Sequence, residues 1–216
     1  MLDAIIFDFD GVICESVAAK TEAFRKLFRD HPEHLERIVQ FHTVNGGMSR
    51  YEKFKVIYRD FLKRELTEKE SLQLGQWFTE YSYDSVVKSV FVRGAYEFLN
   101  KYYKKFALFI ASGTPQEEMI SIIEERKLGR FFQGVYGSPR TKAALITTIL
   151  REKKFDADKI VFVGDSINDY TGASQTGIRF IGRIHPQCPN SFQDLHIEKQ
   201  ITDLTELDEW VQKEAK

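Results

Sequence analysis

The sequence predicts an α/β protein, a doubly wound parallel sheet interrupted by an inserted all-helical domain. From Gly94 onward, short β-branched runs alternate with amphipathic helical patterns, as in βα units joined by right-handed crossovers. Between Val12 and Phe106 only helical periodicity occurs, over a stretch too long for a simple crossover. The chain is also long enough for both parts: 216 residues, 43% of them hydrophobic and 29% charged, can bury a sizeable core. The expected division is a sheet domain of residues 1–14 and 92–216 and a helical insert of residues 15–91.

Each element has its own warrant. Ala4-Ile5-Ile6-Phe7 is short, apolar and without polar alternation, which reads as a buried strand. Helical patterns follow over 17–29, 33–41, 50–62 and 68–87. In the third, Phe54, Ile57, Tyr58, Phe61 and Leu62 fall on one apolar face, a core stripe. Hinges are expected near Glu15 and Val92-Arg93-Gly94. Beyond them, helices are expected over 95–103, 116–126, 142–152, 170–175 and 205–213. Strands are expected over 106–111, 134–136, 160–163 and 178–181, and an aperiodic loop beside the site over 185–199.

The bulk properties exclude several classes. A formal net charge of −1, with both signs mixed along the chain, gives no electrostatic case for nucleic acid or an anionic membrane. No stretch approaches the ~20 apolar residues of a membrane span. Asp3, Asp8 and Asp10 break the only N-terminal apolar run, so it does not read as a signal peptide. Cys14 and Cys188 are far apart in sequence and make no disulfide framework, so a reducing cytoplasm is the expected compartment. Cys14 reads as a small buried residue rather than a nucleophile.

Chemistry concentrates at the strand ends. Asp8 and Asp10 close the first strand in Asp8-Phe9-Asp10-Gly11-Val12, where open α/β sheets place their ligands. Two such carboxylates call for a cation or a shared proton, and Mg²⁺ answers with oxygen ligands; a solvated turn is the alternative. The strand over 106–111 runs into Ser112-Gly113-Thr114-Pro115, whose hydroxyls and N–H groups suit an anion at a helix start; Thr114 with Glu117 also makes a capping box. Lys142 opens a helix, against the macrodipole, so either a nearby anion compensates it or it is a surface lysine. Arg140 reads as solvated. In Gly164-Asp165-Ser166-Ile167-Asn168-Asp169, one helical turn places Asp165 and Asp169 on one face, and a single N-cap would not need both.

In order and spacing, these motifs resemble the haloacid dehalogenase superfamily, chiefly its phosphatase branch, over essentially the whole chain. The pattern is D-x-D-G-[TV], a strand ending in Ser or Thr, a Lys, and G-D-x-x-x-D. The resemblance implies a Rossmann-like core with a four-helix cap, as in phosphoglycolate phosphatases and β-phosphoglucomutases. It implies Asp8 as nucleophile, Asp10 as acid and base, and Mg²⁺ held by Asp8, Asp10 through its carbonyl, Asp165 and Asp169. Ser112, Gly113 and Lys142 would hold the phosphoryl group of a small phosphorylated metabolite.

Within the cap, Asn45-Gly46-Gly47-Met48-Ser49-Arg50 resembles a substrate-facing loop, with Ser49 as helix cap and Arg50 for a second anionic group; an ordinary capping turn is the alternative. Phosphonatases use a cap lysine, and Lys20 lies in that region but reads as solvated. The H-x-x-A-F pattern of mutases here reads Lys20-Thr21-Glu22-Ala23-Phe24. The expected activity is therefore phosphomonoester hydrolysis through an aspartyl-phosphate, with phosphosugar mutase as one alternative and a non-catalytic phospho-ligand binder as another. A monomer is expected, with dimerisation through the cap open.

Overall fold

A computed structural model describes residues 2–186 and 190–214. Cys188 and part of the expected 185–199 loop lie outside the described residues. Six strands form one parallel sheet: β1 (Ala4–Phe7), β2 (Ala107–Pro115), β3 (Gly134–Ser138), β4 (Ile160–Gly164), β5 (Arg179–Arg183) and β6 (Lys199–Ile201). Their order is β3-β2-β1-β4-β5-β6. The sheet is wound outward in both directions from β1, so the carboxyl ends of β1, β2 and β4 border the crevice where ligands of such sheets bind.

Both faces of the sheet are covered, which explains its continuous apolar runs. Ile5 and Phe7 face one layer, made of α5 (Ala95–Tyr102), α6 (Gln116–Glu125) and α9 (Leu204–Glu214). Ala4 and Ile6 face the other, made of α7 (Lys142–Lys153) and α8 (Ile167–Thr176). Two boundaries differ from the sequence expectation in ways that matter. Strand β2 runs on through Ser112, Gly113 and Thr114, and α8 starts at Ile167 because Ser166 caps it. Strand β6 escapes a periodicity argument, because it is a three-residue edge element with a single apolar residue.

The insert is four helices: α1 (Val17–Leu27), α2 (Leu35–Val44), α3 (Arg50–Val56, continued by a π-helical turn over Ile57–Phe61) and α4 (Glu68–Lys88). They enclose an apolar cluster of their own around Phe24, Phe28, Ile38, Phe54, Ile57 and Phe78. A Thr67–Glu70 capping box starts α4, and the Arg126 guanidinium binds the carbonyls of Val86, Val87 and Ser89 at its end. The two connections to the sheet run side by side. Glu15 N donates to Val90 O and Val92 N to Ile13 O, both at 3.0 Å. Gly94 ends the second connection at φ 77°, and a Cβ there would lie 2.8 Å from the Thr205 nitrogen. Among the described residues no helix is long and apolar enough to cross a membrane.

Phe54 is wholly buried at the centre of the helical cluster. Replacing it with Ala is expected to cost about 3–5 kcal/mol, the usual range for a buried Phe, read as a fall in denaturant midpoint.

Candidate active site

Asp8 follows β1 directly and is 3% exposed. Its Oδ1 accepts a hydrogen bond from Phe9 N at 2.7 Å and lies 3.0 Å from Lys142 Nζ. Its Oδ2 accepts no hydrogen bond from the described residues. Lys142 stands at the first position of α7, which Thr141 caps. Its ammonium also reaches Asp169 Oδ1 at 2.7 Å and donates to Ala111 O at 2.8 Å. The lysine that opposes the macrodipole is thus held by two carboxylates and buried, so the surface reading does not hold.

Asp169 has two tasks. Its Oδ2 accepts from the Ser166 hydroxyl and backbone N–H, closing the capping box of α8, while Oδ1 faces Lys142. Helix capping and site building are here one arrangement. Asp165 precedes the cap residue and presses on Gly11, where a Cβ would sit 2.0 Å from its Oδ2. Gly11 also has φ +73°, so that turn admits no side chain on either count.

Oxygens of Asp8, Asp165 and Asp169 lie within 4.8 Å of one another. Three carboxylates face one lysine, and their protonation shows the strain. Burial pushes the Asp8 carboxyl up to about 7, with Asp169 and Asp10 adding to it against Lys142. Burial and the charges of Asp8 and Asp169 raise Asp165 well above the usual carboxylate range. Burial alone would lower Lys142, yet Asp169 and Asp8 outweigh it and hold the amine above the ordinary lysine value. All-oxygen donors with uncompensated negative charge fit a hard divalent cation. Asp10's side chain does not join this cluster, and of the expected metal set only its carbonyl is left to serve.

The Asp10 carboxylate turns the other way. Its Oδ1 accepts from Ser16 Oγ at 2.6 Å, and its Oδ2 meets Lys20 Nζ and, at 3.3 Å, Thr114 Oγ1. Lys20 donates to Thr114 Oγ1 as well, at 2.7 Å. Burial would raise this carboxyl, but the Lys20 charge, with the Lys20, Ser16 and Thr114 hydrogen bonds, brings it below the usual range. Thr114 therefore serves the site and does not cap α6, whose N-cap is Pro115. Lys20, expected in solvent, is a site residue; its position at the mutase histidine was the available signal, and periodicity alone hid it on an amphipathic helix.

Ser112 is buried at the end of the same strand, and its Oγ accepts from Thr114 N at 3.1 Å. Gly113 lies beneath the loop of the helical insert, where a Cβ would be 2.6 Å from Gly47 O. The Gly46-Gly47 pair comes equally close to the fourth motif. Asn168 Nδ2 donates to Gly46 O at 2.7 Å, and a Cβ on Gly47, at φ +71°, would be 2.7 Å from Ser166 Oγ. Ser49 makes no side-chain cap to α3, contrary to expectation.

Arg50 is also corrected. It is 4% exposed and bound to Glu118 Oε1 of α6 and Thr79 Oγ1 of α4, each at 2.6 Å. Stacked over Phe78 as well, it ties insert to sheet domain, and its donors are spent on the protein rather than held for a substrate. Arg140 is exposed, as expected. Cys14 is fully buried, and burial pushes its thiol up to about 12, so it is inert.

The profile of the haloacid dehalogenase-like hydrolases matches residues 5–183. Over 187 residues the chain is 28% identical to phosphoglycolate phosphatase 1 of Pseudomonas aeruginosa, covering 81% of this chain and 66% of that protein, just under two thirds of its length. It is 26% identical over 199 residues to the phosphorylated carbohydrates phosphatase of Thermotoga maritima, covering 85% and 86%. A haloacid dehalogenase-like hydrolase structure from Streptococcus pneumoniae superposes with a TM-score of 0.76 at 17% identity, over 97% of this chain and 98% of the other.

In the metal-free protein, buried Asp8 opposes folding once it ionises. Between the ordinary carboxylate value of 3.8 and about 7, folded Asp8 holds a proton that the unfolded chain has lost, so its contribution to stability falls as pH rises. Asp8→Asn is therefore expected to gain about 1–4 kcal/mol over wild type as pH rises across that window, and then level off. Denaturation of both proteins in EDTA at a series of pH values checks it.

Proposed function

The chain belongs to the haloacid dehalogenase-like hydrolases, and from that premise we propose that it is a Mg²⁺-dependent phosphatase acting on a small phosphomonoester through an aspartyl-phosphate on Asp8. One observation carries the reading. Two aspartates one residue apart are held in opposite environments, Asp8 among carboxylates and Lys142, Asp10 among Lys20, Ser16 and Thr114. Environments that separate two neighbouring carboxyls assign them different roles.

Asp8, with one oxygen fixed by Phe9 N and Lys142, presents the other to phosphorus. Its attack forms the aspartyl–phosphorus bond as the ester oxygen departs. The Asp10–Lys20 pair gives a proton to that leaving oxygen. In the second step the same pair takes a proton from water, which attacks phosphorus and releases phosphate and free Asp8. Lys142 and Ser112 hold the phosphoryl oxygens in place, where charge stabilisation is most of the catalysis. Asp8, Asp165 and Asp169 would hold the metal, which supplies the positive charge that offsets repulsion between carboxylate and phosphate. The phosphatase names of the two curated relatives support the reaction class. A non-catalytic binder would have no use for Asp10 held ready in this way.

Phosphate release from a panel of phosphomonoesters is expected to need Mg²⁺ and to stop in EDTA. Asp8→Asn should lose about 10³-fold or more, the scale of losing a nucleophile, and Asp10→Asn about 10²-fold or more, that of losing an acid–base group. Release from no ester by folded, metal-loaded protein would overturn the proposal.

A further inference from the structure

Lys53 lies in the first turns of α3, is 4% exposed and belongs to the helical insert. Its ammonium donates to His42 O at 3.0 Å and lies 3.2 Å from His42 Nδ1. No carboxylate of the described residues stands within ion-pair distance. A buried ammonium without a counter-ion is costly and is rarely kept for stability. The other buried cations here differ: Arg50 has Glu118, Lys142 has Asp8 and Asp169, and Arg183 has Glu15.

The surroundings show what the charge faces. His42 stacks on Phe24 with ring centres 3.9 Å apart, and Lys53 lies over the same ring. Burial, then the like charge of Lys20, lowers the Lys53 amine to about 7; Asp10 and Asp165 raise it, and Arg50 lowers it further. Burial, then Lys53 and Lys20, hold His42 well below the usual imidazole value. The loop leading into α3 lies over the site, with Gly47 against Gly113 and Ser166, so Lys53, one turn into that helix, is near enough to feel the charges of both Asp10 and Asp165. One turn earlier on α3, the Ser49 hydroxyl is buried and finds no partner among the described residues. Lys53 has three N–H groups, and the His42 carbonyl and ring take two.

We infer that Lys53, oriented by His42, is a specificity-determining residue that receives a second anionic group, a carboxylate or a phosphate, on the leaving side of the substrate. The inference rests on the phosphatase reading and narrows it to esters whose leaving group carries its own negative charge. Such a group supplies the missing counter-charge and returns Lys53 to a fully charged ammonium in a desolvated place, where a charge-assisted hydrogen bond is strong. The transferring phosphoryl group stays with Lys142 and Ser112. The apolar floor of Phe24 sets the lysine's height without competing for its protons.

The test varies only the tail of one ester. Ethylene glycol monophosphate, phosphoglycolate and ethylene glycol bisphosphate carry a hydroxyl, a carboxylate or a second phosphate on the same two-carbon tail. In the wild type, one acid-tailed ester should exceed the hydroxyl-tailed ester in kcat/KM, chiefly through KM, and which one it is separates carboxylate from phosphate. In Lys53→Met, neutral and similar in length, that ratio should fall roughly 10- to 100-fold, the scale of a charged hydrogen bond. Equal losses on all three tails would mark Lys53 as merely structural and overturn the inference, as would no acid preference in the wild type.

A binding measurement on the wild type needs neither turnover nor a folded variant. Phosphonopropionate and phosphonopropane carrying a second phosphonate should bind metal-loaded protein in the same order, at least one of them about tenfold or more tighter than hydroxypropylphosphonate; equal affinities for all three would overturn the inference. Absence of phosphate release from every ester would sink the phosphatase reading, and this comparison would still decide the anion site.

Discussion

Three carboxylates confined with a single lysine are the constraint on which the site depends. Asp8, Asp165 and Asp169 come from the ends of β1 and β4 and the first turn of α8, and Lys142 from the first residue of α7. Each is placed by ordinary secondary structure: a strand end, a capping box, a capped helix start. Their convergence is nonetheless unfavourable without added positive charge, because burial and mutual repulsion raise Asp8 and Asp165 together. The fold holds this arrangement through the rest of the sheet, where all four residues of β1 are fully buried. A set of oxygens that could hold a cation is the other side of the same imbalance.

The second aspartate of the first motif shows how one short turn serves two functions. Gly11, with no side chain, lets the chain bend tightly enough for Asp165 to approach from below. Asp10 is turned toward the insert, where Ser16 and Lys20 receive it together with Thr114 of β2. Lys20 belongs to the insert and Asp10 to the sheet domain, so the hydrogen-bond shell of Asp10 is complete only when the two parts are together. The buried Arg50–Glu118 pair makes a second tie between them. Removing one partner of such a buried pair costs about 3–5 kcal/mol, because the other charge is left buried and alone.

Much of this was readable from residue order. The sheet, the helical insert and the grouping of Asp8, Lys142, Asp165 and Asp169 follow from strand ends and spacing, because buried parallel strands announce themselves by unbroken apolar runs. What could not be read were side chains whose role depends on a neighbour distant in sequence. Lys20 and Thr114 meet across 94 positions, and Arg50 and Glu118 across 68. A lysine or arginine on an amphipathic helix looks solvated until its partner is known. Thr114 looked like a helix cap because the length of β2 was not apparent from its polar end. Lys53 and His42 gave no signal at all, being eleven residues apart in two different helices.

Asn168 sits between the two aspartates of the fourth motif and donates its amide to the Gly46 carbonyl of the opposite loop. That loop comes so near because neither Gly46 nor Gly47 carries a side chain, and Gly47 passes as closely over Gly113. At this loop the two halves meet through close-passing backbone, which side chains elsewhere on the join cannot replace. For recombination between relatives this draws the line of inheritance: a transplanted helical half must bring its glycine pair and the carbonyl at that height. The helices behind the loop can diverge where they do not carry Lys20, Arg50 or Thr79, whose partners lie in the sheet domain.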